Sequence, residues 1–289
     1  MRDLALLMVK PDGVHQHLTG SVLTFLGHRG FTALATKDVA LTPQLRAQLY
    51  ATTRTGGRLD WELNAVLYGL GPVTAVLLRG PAEAAGCDSA AAYLSSRLKG
   101  HFLPTRAKPD TIRGSLNAMN PIFNLVHASD DEEELAREVP VLFGCSVSEA
   151  VSLGVADVQH PARPVDHWRN VGHTVAAFLG GEQVGDATAA TAGLSVLGDA
   201  GWPMAEPDRR AAFEAVRDAR PALQAAVRRD PRCRDAGLPA VIAGHEADLP
   251  DFAHFSSSAQ ALPNPPSVWA TYLAYTSLRY LDLCLETPA

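Results

Sequence analysis

Three short motifs in the first half of the chain carry residue types that could do chemistry. They are Lys10-Pro11-Asp12-Gly13, the stretch KPDTIRG at 108–114 and the stretch NLVHASD at 124–130. A neutral imidazole such as that of His127 can act as a nucleophile near pH 7. Lys10 and Arg113 lie in turns punctuated by proline and glycine, where a cation can be presented to an anionic ligand. The motifs therefore predict a nucleophilic histidine assisted by cations.

Apolar runs and turn residues predict the elements that must position these motifs. Buried or extended strands are expected at 4–9, 31–41, 73–78 and 124–126. Helices are expected at 20–28, from Pro43 towards Tyr50, and at 81–98. The order strand, helix, strand, strand, helix, strand is the ferredoxin-like βαββαβ pattern. The fold class predicted for this half is therefore α/β (α+β), with an antiparallel sheet.

His127 is expected at the junction between the last strand and the helix that follows it. The sequence Ser129-Asp130-Asp131-Glu132 has the form of a capping box, with Ser129 as N-cap and acidic residues in the first turn. This arrangement would place the imidazole beside the start of a helix.

The character of the sequence changes beyond Gly144, where alanine, glycine and proline become frequent and the periodicity weakens. We expect a first domain at 1–145, a linker at 146–164 and a mainly helical C-terminal domain or appendage of unknown role at 165–289. Its clearest helix is predicted at 267–285, and a shorter one at 207–219.

Composition excludes several classes of function. The net charge of −6 and the lack of a Lys/Arg cluster argue against nucleic acid as a partner. The apolar run at the N-terminus is too short for a signal sequence or a membrane span. The four cysteines show neither disulfide-framework nor metal-ligand spacing, so we expect a cytoplasmic protein.

The three motifs together resemble those of the nucleoside diphosphate kinase family, in which KPDG-, KPGTIRG- and NxxHGSD-like motifs occur in this order. The resemblance covers about residues 3–144. It implies a phosphotransferase that moves the terminal phosphoryl group of a nucleoside triphosphate to a nucleoside diphosphate through a phosphohistidine. It also implies Mg²⁺ held by the nucleotide phosphates, nucleotides as partners, and a homo-oligomer.

The resemblance also implies roles for individual residues. His127 matches the nucleophile, Glu138 the residue that orients its ring, and Ser129 and Tyr50 residues close to it. The positions that match nucleotide-binding residues are Lys10, Trp61, Arg97, Arg113 and Asn124. Arg97 lies about one residue out of step with the expected second phosphate-binding arginine, and Trp61 would stack on the base.

Some residues depart from the family pattern on the nucleotide-binding side. Phe102 stands where the family has a phosphate-contacting threonine, which Thr105 could replace, and Asp110 stands where it has a glycine. One residue is added between Arg113 and His127. These changes leave two alternatives open: a dedicated kinase for a modified nucleotide or another small phosphorylated metabolite, and a nucleotide-binding regulatory protein with impaired catalysis.

Overall fold

A computed structural model describes residues 1–52, 58–156, 252–260 and 267–285, together with the isolated positions 210, 213, 214, 217 and 218. The chain divides into two compact units. One consists of Met1–Ala118 and Ile122–Arg163, and the other of Met119–Pro121 and Pro164–Ala289. The short segment 119–121 therefore groups with the C-terminal unit.

The first unit is built on a four-stranded antiparallel sheet. The strands are β1 (Leu4–Val9), β2 (Thr32–Val39), β3 (Val73–Arg79) and β4 (Val126–Ala128). Their order in the sheet is β2-β3-β1-β4, and all three neighbouring pairs are antiparallel. The ferredoxin-like fold class is confirmed. β4 begins two residues later than the predicted strand at 124–126, because Leu125 has a positive φ of 70° and cannot continue a strand.

Both faces of the sheet carry a hydrophobic core, which explains why β1 is a continuous apolar run and why the first six residues of β3, all apolar except Thr74, are buried. Alternate residues of β1 contribute to two separate cores. Ala5, Leu7 and Val9 pack on one face, and Leu4, Leu6 and Met8 pack on the other.

The connecting helices of this unit lie on the two faces of the sheet. They are α1 (Pro11–His15), α2 (Thr19–Gly27), α3 (Pro43–Leu49), α4 (Arg58–Leu70), α5 (Ala90–Tyr93), α6 (Ile112–Ser115), α7 (Glu132–Phe143) and α8 (Val147–Val151). A π-helical turn, Leu94–Leu98, continues α5, and a 3₁₀ turn spans Pro104–Arg106. α4 was not predicted.

Two of the predicted boundaries are wrong. The helix expected at 81–98 begins only at Ala90, where the Ser89 hydroxyl accepts a hydrogen bond from the Ala92 N–H at 3.2 Å and caps the helix. Ser129 is not the N-cap of α7. Asp131 is, because its carboxylate accepts a hydrogen bond from the Glu134 N–H at 2.8 Å, while Glu134 accepts one from the Asp130 N–H. Ser129 is left available for a different contact.

The described part of the C-terminal unit contains two helices, α9 (Phe252–Gln260) and α10 (Val268–Arg279). α10 confirms the core of the helix predicted at 267–285. Of the helix predicted at 207–219, the structure describes only positions 210, 213, 214, 217 and 218, which are helical. The first part of the predicted linker contains α8, and its residues 157–164 lie outside the described residues. Within this unit the buried Asn120 amide donates to Thr276 Oγ1 at 3.1 Å and to Ser277 Oγ at 3.3 Å. None of the helices in the described ranges has the length and apolar character needed to cross a bilayer.

Candidate active site

His127 is placed by the pairing of β4 with β1. It lies directly opposite Met8 in this antiparallel pair, so the two side chains share one face of the sheet. Met8 belongs to the core on which α7 packs. The imidazole therefore faces α7, and its Nε2 lies 3.0 Å from Glu138 Oε2. The His127 side chain keeps 14% of its surface exposed, which leaves it open to a ligand.

Glu138 is fully buried and makes several hydrogen bonds. Besides His127 Nε2, its Oε2 accepts a hydrogen bond from Ser129 Oγ at 2.7 Å, and its Oε1 accepts one from Arg137 Nη2 at 3.2 Å. Burial by itself raises the pKa of Glu138, but the hydrogen bonds from His127 and Ser129 and the charge of Arg137 outweigh it and lower the pKa below its usual value. The carboxylate is therefore stabilised in its charged form.

The ionised carboxylate determines which imidazole nitrogen is free. A carboxylate can only accept, so His127 Nε2 donates the hydrogen bond and the lone pair of the neutral ring lies on Nδ1. No hydrogen bond to Nδ1 is made by any residue that the structure describes. Nδ1 is thus the atom available for bond formation.

A group of aromatic side chains lies beside the imidazole. The Tyr50 ring lies edge-on to His127, with 5.2 Å between the ring centroids. The Tyr50 hydroxyl forms a short hydrogen bond with that of Tyr68, and burial raises the pKa of both phenols. Trp61 contacts Tyr50 edge-on, and the Arg46 guanidinium lies 3.8 Å from the Trp61 ring centroid. Trp61 is therefore one aromatic ring removed from His127.

Lys10 and Asn124 are hydrogen-bonded to each other at the end of β1. Lys10 Nζ donates to Asn124 Oδ1 at 2.9 Å and to the Ile122 carbonyl at 2.7 Å. Burial lowers the pKa of Lys10 to about 8, against the opposing effect of Asp12, and Arg113 lowers it further. The ammonium is largely removed from water, so an anion that reaches it would interact strongly.

Arg113 directs its guanidinium mainly at backbone carbonyls. Nε donates to Asn124 O at 3.0 Å, Nη1 to Gly100 O at 3.0 Å and Nη2 to Val126 O at 2.7 Å. Burial lowers the pKa of Arg113 to about 10. Arg113 therefore brings a positive charge close to Lys10 while it holds the backbone on both sides of Leu125.

Arg97 does not join this group. Its side chain is exposed and makes no hydrogen bond or ion pair with the residues that the structure describes. Arg97 lies in the π-helical turn Leu94–Leu98, which contains one more residue per turn than an α-helix. Lys99 instead extends towards the residue after His127, with Nζ 3.5 Å from Ala128 O and 2.9 Å from Asp130 Oδ1.

The loop after Lys99 contains the residues that depart from the family pattern in the sequence. Phe102 is 47% exposed and stacks on His101 with 4.6 Å between the ring centroids. Thr105 lies in the 3₁₀ turn, and its buried hydroxyl has no hydrogen-bond partner among the described residues. The Asp110 side chain is exposed. None of these three residues contacts His127 or Glu138 through a described hydrogen bond.

Sequence reasoning missed Arg137, Lys99 and Asp12. Arg137 donates to the Gln48 and Leu49 carbonyls at the end of α3 and to Glu138, so it links α7 to the segment that carries Tyr50. The adjacency of Arg137 and Glu138 was a weak signal for this contact. No sequence signal identified the acceptors of Lys99 or the Leu125 N–H that donates to Asp12, because these contacts depend on tertiary packing.

Comparison with known proteins identifies the protein family of the domain that contains this site. The profile of the family described as "Nucleoside diphosphate kinase" matches residues 3–147, half of the chain. The nucleoside diphosphate kinase of Moorella thermoacetica is 34% identical over 136 residues, which cover 47% of this chain and 90% of that protein. That of Mycobacterium avium is 31% identical over 144 residues, covering 50% and 98%. A solved nucleoside diphosphate kinase from Halobacterium salinarum, in complex with CDP, is 28% identical with a TM-score of 0.41, covering 50% and 90%.

The fold and the matched residues define the N-terminal half as a kinase domain. The chain belongs to the nucleoside diphosphate kinase family. The match ends at residue 147, so residues 148–289 have no part in this assignment.

Proposed function

We propose that the protein transfers the terminal phosphoryl group of a nucleoside triphosphate to a nucleoside diphosphate through a phosphohistidine at His127. The observation that carries this proposal is the hydrogen bond from His127 Nε2 to the buried Glu138 carboxylate at 3.0 Å. It leaves the lone pair on Nδ1, in a partly exposed ring. The names of the curated relatives favour this general reaction over a dedicated acceptor or a regulatory role.

In the first step, the Nδ1 lone pair attacks the terminal phosphorus, and the bond to the bridging oxygen breaks, releasing the nucleoside diphosphate. The ring becomes positively charged, and the Glu138 carboxylate stabilises that charge through Nε2–H. In the second step, a terminal phosphate oxygen of the acceptor diphosphate attacks the same phosphorus. The P–N bond then breaks and its electrons return to Nδ1, which restores the neutral imidazole.

Cations are proposed to neutralise the phosphates during both steps. Lys10 and Arg113 lie together and are buried, so their charges are poorly screened by water. Because the Arg113 donors already bond backbone carbonyls, we assign it a role through charge and through positioning. For the second phosphate-contacting cation, we propose Lys99 over Arg97, because Lys99 Nζ approaches the Ala128 carbonyl beside the nucleophile.

Other parts of the nucleotide are assigned to the remaining matched residues. We propose that Asn124 binds the sugar hydroxyl, that Tyr50 and Ser129 keep the His127 ring in place, and that Trp61 stacks on the base. Thr105 is retained as a candidate phosphate donor because its hydroxyl has no described partner.

Mg²⁺ is proposed as the cofactor. The residues proposed to face the nucleotide phosphates, Lys10, Arg113 and Asn124, are cationic or neutral and offer no carboxylate to a metal ion. This donor set fits a metal held by phosphate oxygens, which these residues would in turn hold. When bound, Mg²⁺ would supply charge neutralisation on the nucleotide phosphates.

We further propose a cytoplasmic homo-oligomer. The cysteines Cys87, Cys145 and Cys284 carry free thiols, which fits a reducing compartment. Self-association rests on the family resemblance, and sedimentation velocity at several protein concentrations would test it.

The experiment that tests the function is transfer from Mg²⁺-ATP to a panel of acceptors. Native protein and His127→Gln are incubated with ATP and GDP, CDP, UDP or a deoxynucleoside diphosphate, and the triphosphate products are separated by chromatography. The proposal expects products with several bases from native protein and none from His127→Gln. Products from a single unusual acceptor would favour a dedicated kinase, and equal activity of the variant would contradict a role for His127.

A further inference from the structure

We propose that the turn Lys10–Gly13 holds the peptide of Leu125 in a strained conformation, and that Asp12 is thereby a positioning residue for Asn124 and His127. This inference rests on the proposed function, because it concerns how the nucleophile and the sugar-binding residue are aimed. It assigns a role to Asp12 and Gly13 that goes beyond direct contact with a nucleotide.

The strain lies at Leu125, between the two functional side chains. Its φ of 70° falls in the left-handed region, which a bulky side chain rarely adopts. Leu125 is also fully buried, so the conformation cannot be ascribed to an exposed loop. A residue in this region persists only where its surroundings hold it there. Relaxation of Leu125 would turn the chain on either side of it, and Asn124 and His127 would move with it.

Asp12 provides one of the contacts that hold Leu125. Its Oδ2 accepts the hydrogen bond of the Leu125 N–H at 2.9 Å, and the Asp12 side chain is fully buried. Its other oxygen, Oδ1, is also buried and makes no hydrogen bond with any described residue. A buried carboxylate loses its hydration, which is unfavourable unless a nearby charge or hydrogen bonds compensate for the loss. Burial raises the pKa of Asp12 above its usual value, and the Lys10 charge and the Leu125 hydrogen bond offset only part of this rise.

Lys10 and Gly13 provide the other contacts from the same turn. The Lys10 N–H donates to the Leu125 carbonyl at 2.8 Å. A Cβ at Gly13 would lie 3.1 Å from that carbonyl oxygen and 2.7 Å from Val9 Cγ1, so the start of α1 can approach this closely only because residue 13 is a glycine. Both polar groups of the Leu125 backbone are therefore bonded to one turn.

The neighbouring peptides are held from the opposite direction. Arg113 donates to the Asn124 and Val126 carbonyls, one residue before and one after Leu125. With the backbone fixed on both sides, the turn determines the direction in which Asn124 and His127 project. Catalysis depends steeply on such geometry, because a displacement of about 1 Å can lower a rate on the order of 100-fold.

The test compares variants that disturb the turn by two independent routes with a matched control. Asp12→Ala removes the acceptor of the Leu125 N–H, whereas Asp12→Asn keeps an oxygen that can accept it. Gly13→Ala introduces the Cβ that meets the Leu125 carbonyl. Gly20→Ala, in the next helix, is the control, because a Cβ there meets nothing within 4 Å. Thermal unfolding first establishes that each variant is folded at the assay temperature.

Two readouts are then taken: the single-turnover rate of His127 phosphorylation at saturating Mg²⁺-ATP, and the ¹⁵N and ¹³C resonances of the His127 ring in labelled protein. We expect Asp12→Ala and Gly13→Ala to lower the rate about 10- to 100-fold and to shift the ring resonances. Asp12→Asn is expected to recover most of the rate, and Gly20→Ala to match the native protein.

A native rate and native His127 resonances in folded Asp12→Ala and Gly13→Ala would overturn the inference, even if both variants melted at lower temperature. If Asp12→Ala does not fold, Gly13→Ala decides. If the native protein shows no phosphorylation, the proposed function fails, and the His127 resonances alone decide whether the turn positions the ring.

Discussion

Replacement of Glu138 by glutamine is expected to slow phosphoryl transfer to His127 without unfolding the protein. Glutamine has nearly the same shape, so the contact with Ser129 and the packing of α7 can be kept, but the negative charge opposite the ring is lost. A hydrogen bond to a charged group contributes about 1.5–3 kcal/mol and one between neutral groups about 0.5–1.5 kcal/mol. The difference, about 1–1.5 kcal/mol, corresponds to roughly tenfold in rate at about 1.4 kcal/mol per factor of ten.

The loss becomes larger if the glutamine turns its NH₂ group towards the ring. His127 Nε2 would then have to accept the hydrogen bond, and the proton would move to Nδ1, the atom that must attack. We therefore expect a reduction of about 10- to 100-fold, and a larger one for Glu138→Ala, which leaves the buried Nε2–H without an acceptor.

Quenched-flow measurement of phosphoenzyme formation at saturating Mg²⁺-ATP would test this expectation. Glu133→Gln serves as the matched control, because Glu133 lies exposed in the first turn of the same helix, α7. The control should react at the native rate. A folded Glu138→Gln variant with an unchanged rate would refute the reasoning that the carboxylate activates His127.

Three further expectations follow from the buried polar groups. Lys10 has a pKa of about 8 in the folded protein and 10.5 as its ordinary value, so kcat/KM should fall above pH 8 while the contribution of Lys10 to the free energy of unfolding rises between pH 8 and 10.5. Parallel activity and urea-unfolding profiles, with Lys10→Met as control, would show this, and a loss of stability over that pH range would contradict it. Lys99→Met should lower kcat/KM by about tenfold, because a largely buried positive charge is lost, whereas Arg97→Met should lower it by less than about twofold, because that side chain is exposed. Equal effects in steady-state assays would contradict the choice of Lys99 over Arg97 as the second phosphate-contacting cation. Asn120→Ala should lower the unfolding free energy of the C-terminal unit by about 1–3 kcal/mol, because the buried Thr276 hydroxyl loses its donor; an unchanged urea midpoint would contradict this value.

The strands of the sheet could be predicted well because burial on both faces produces an unmistakable local pattern. β1 is an unbroken apolar run, β3 is apolar apart from Thr74 and the terminal Arg79, and the ends of both strands fall close to the charged and turn residues that bound them. The helix at 81–98 was overextended because alanine-rich sequence favours helix throughout, whereas the actual start depends on the capping hydroxyl of Ser89. α7 ends where Gly144 adopts a positive φ of 72°, at the point beyond which the character of the sequence changes.

In the site as well, residue identities could be predicted from the sequence, whereas contacts that depend on the tertiary structure could not. His127 and Glu138 were predicted from motif positions, and the structure brings their side chains within hydrogen-bond distance. The partners of Arg113 could not be predicted, because they are backbone carbonyls that carry no side-chain signal in the sequence. The strained conformation of Leu125 could not be predicted either, because leucine is not a residue type that signals a positive φ.

Labelling of His127 tests the central claim most directly. The native protein, His127→Ala and His127→Gln are incubated with Mg²⁺ and ATP labelled in the γ-phosphate, then quenched, and the phosphoprotein is tested for stability in acid and base. The account predicts a phosphoprotein that is labile in acid and stable in base, present in the native protein and absent from both variants. The absence of label from folded native protein that binds ATP, or label that persists in the variants, would contradict it.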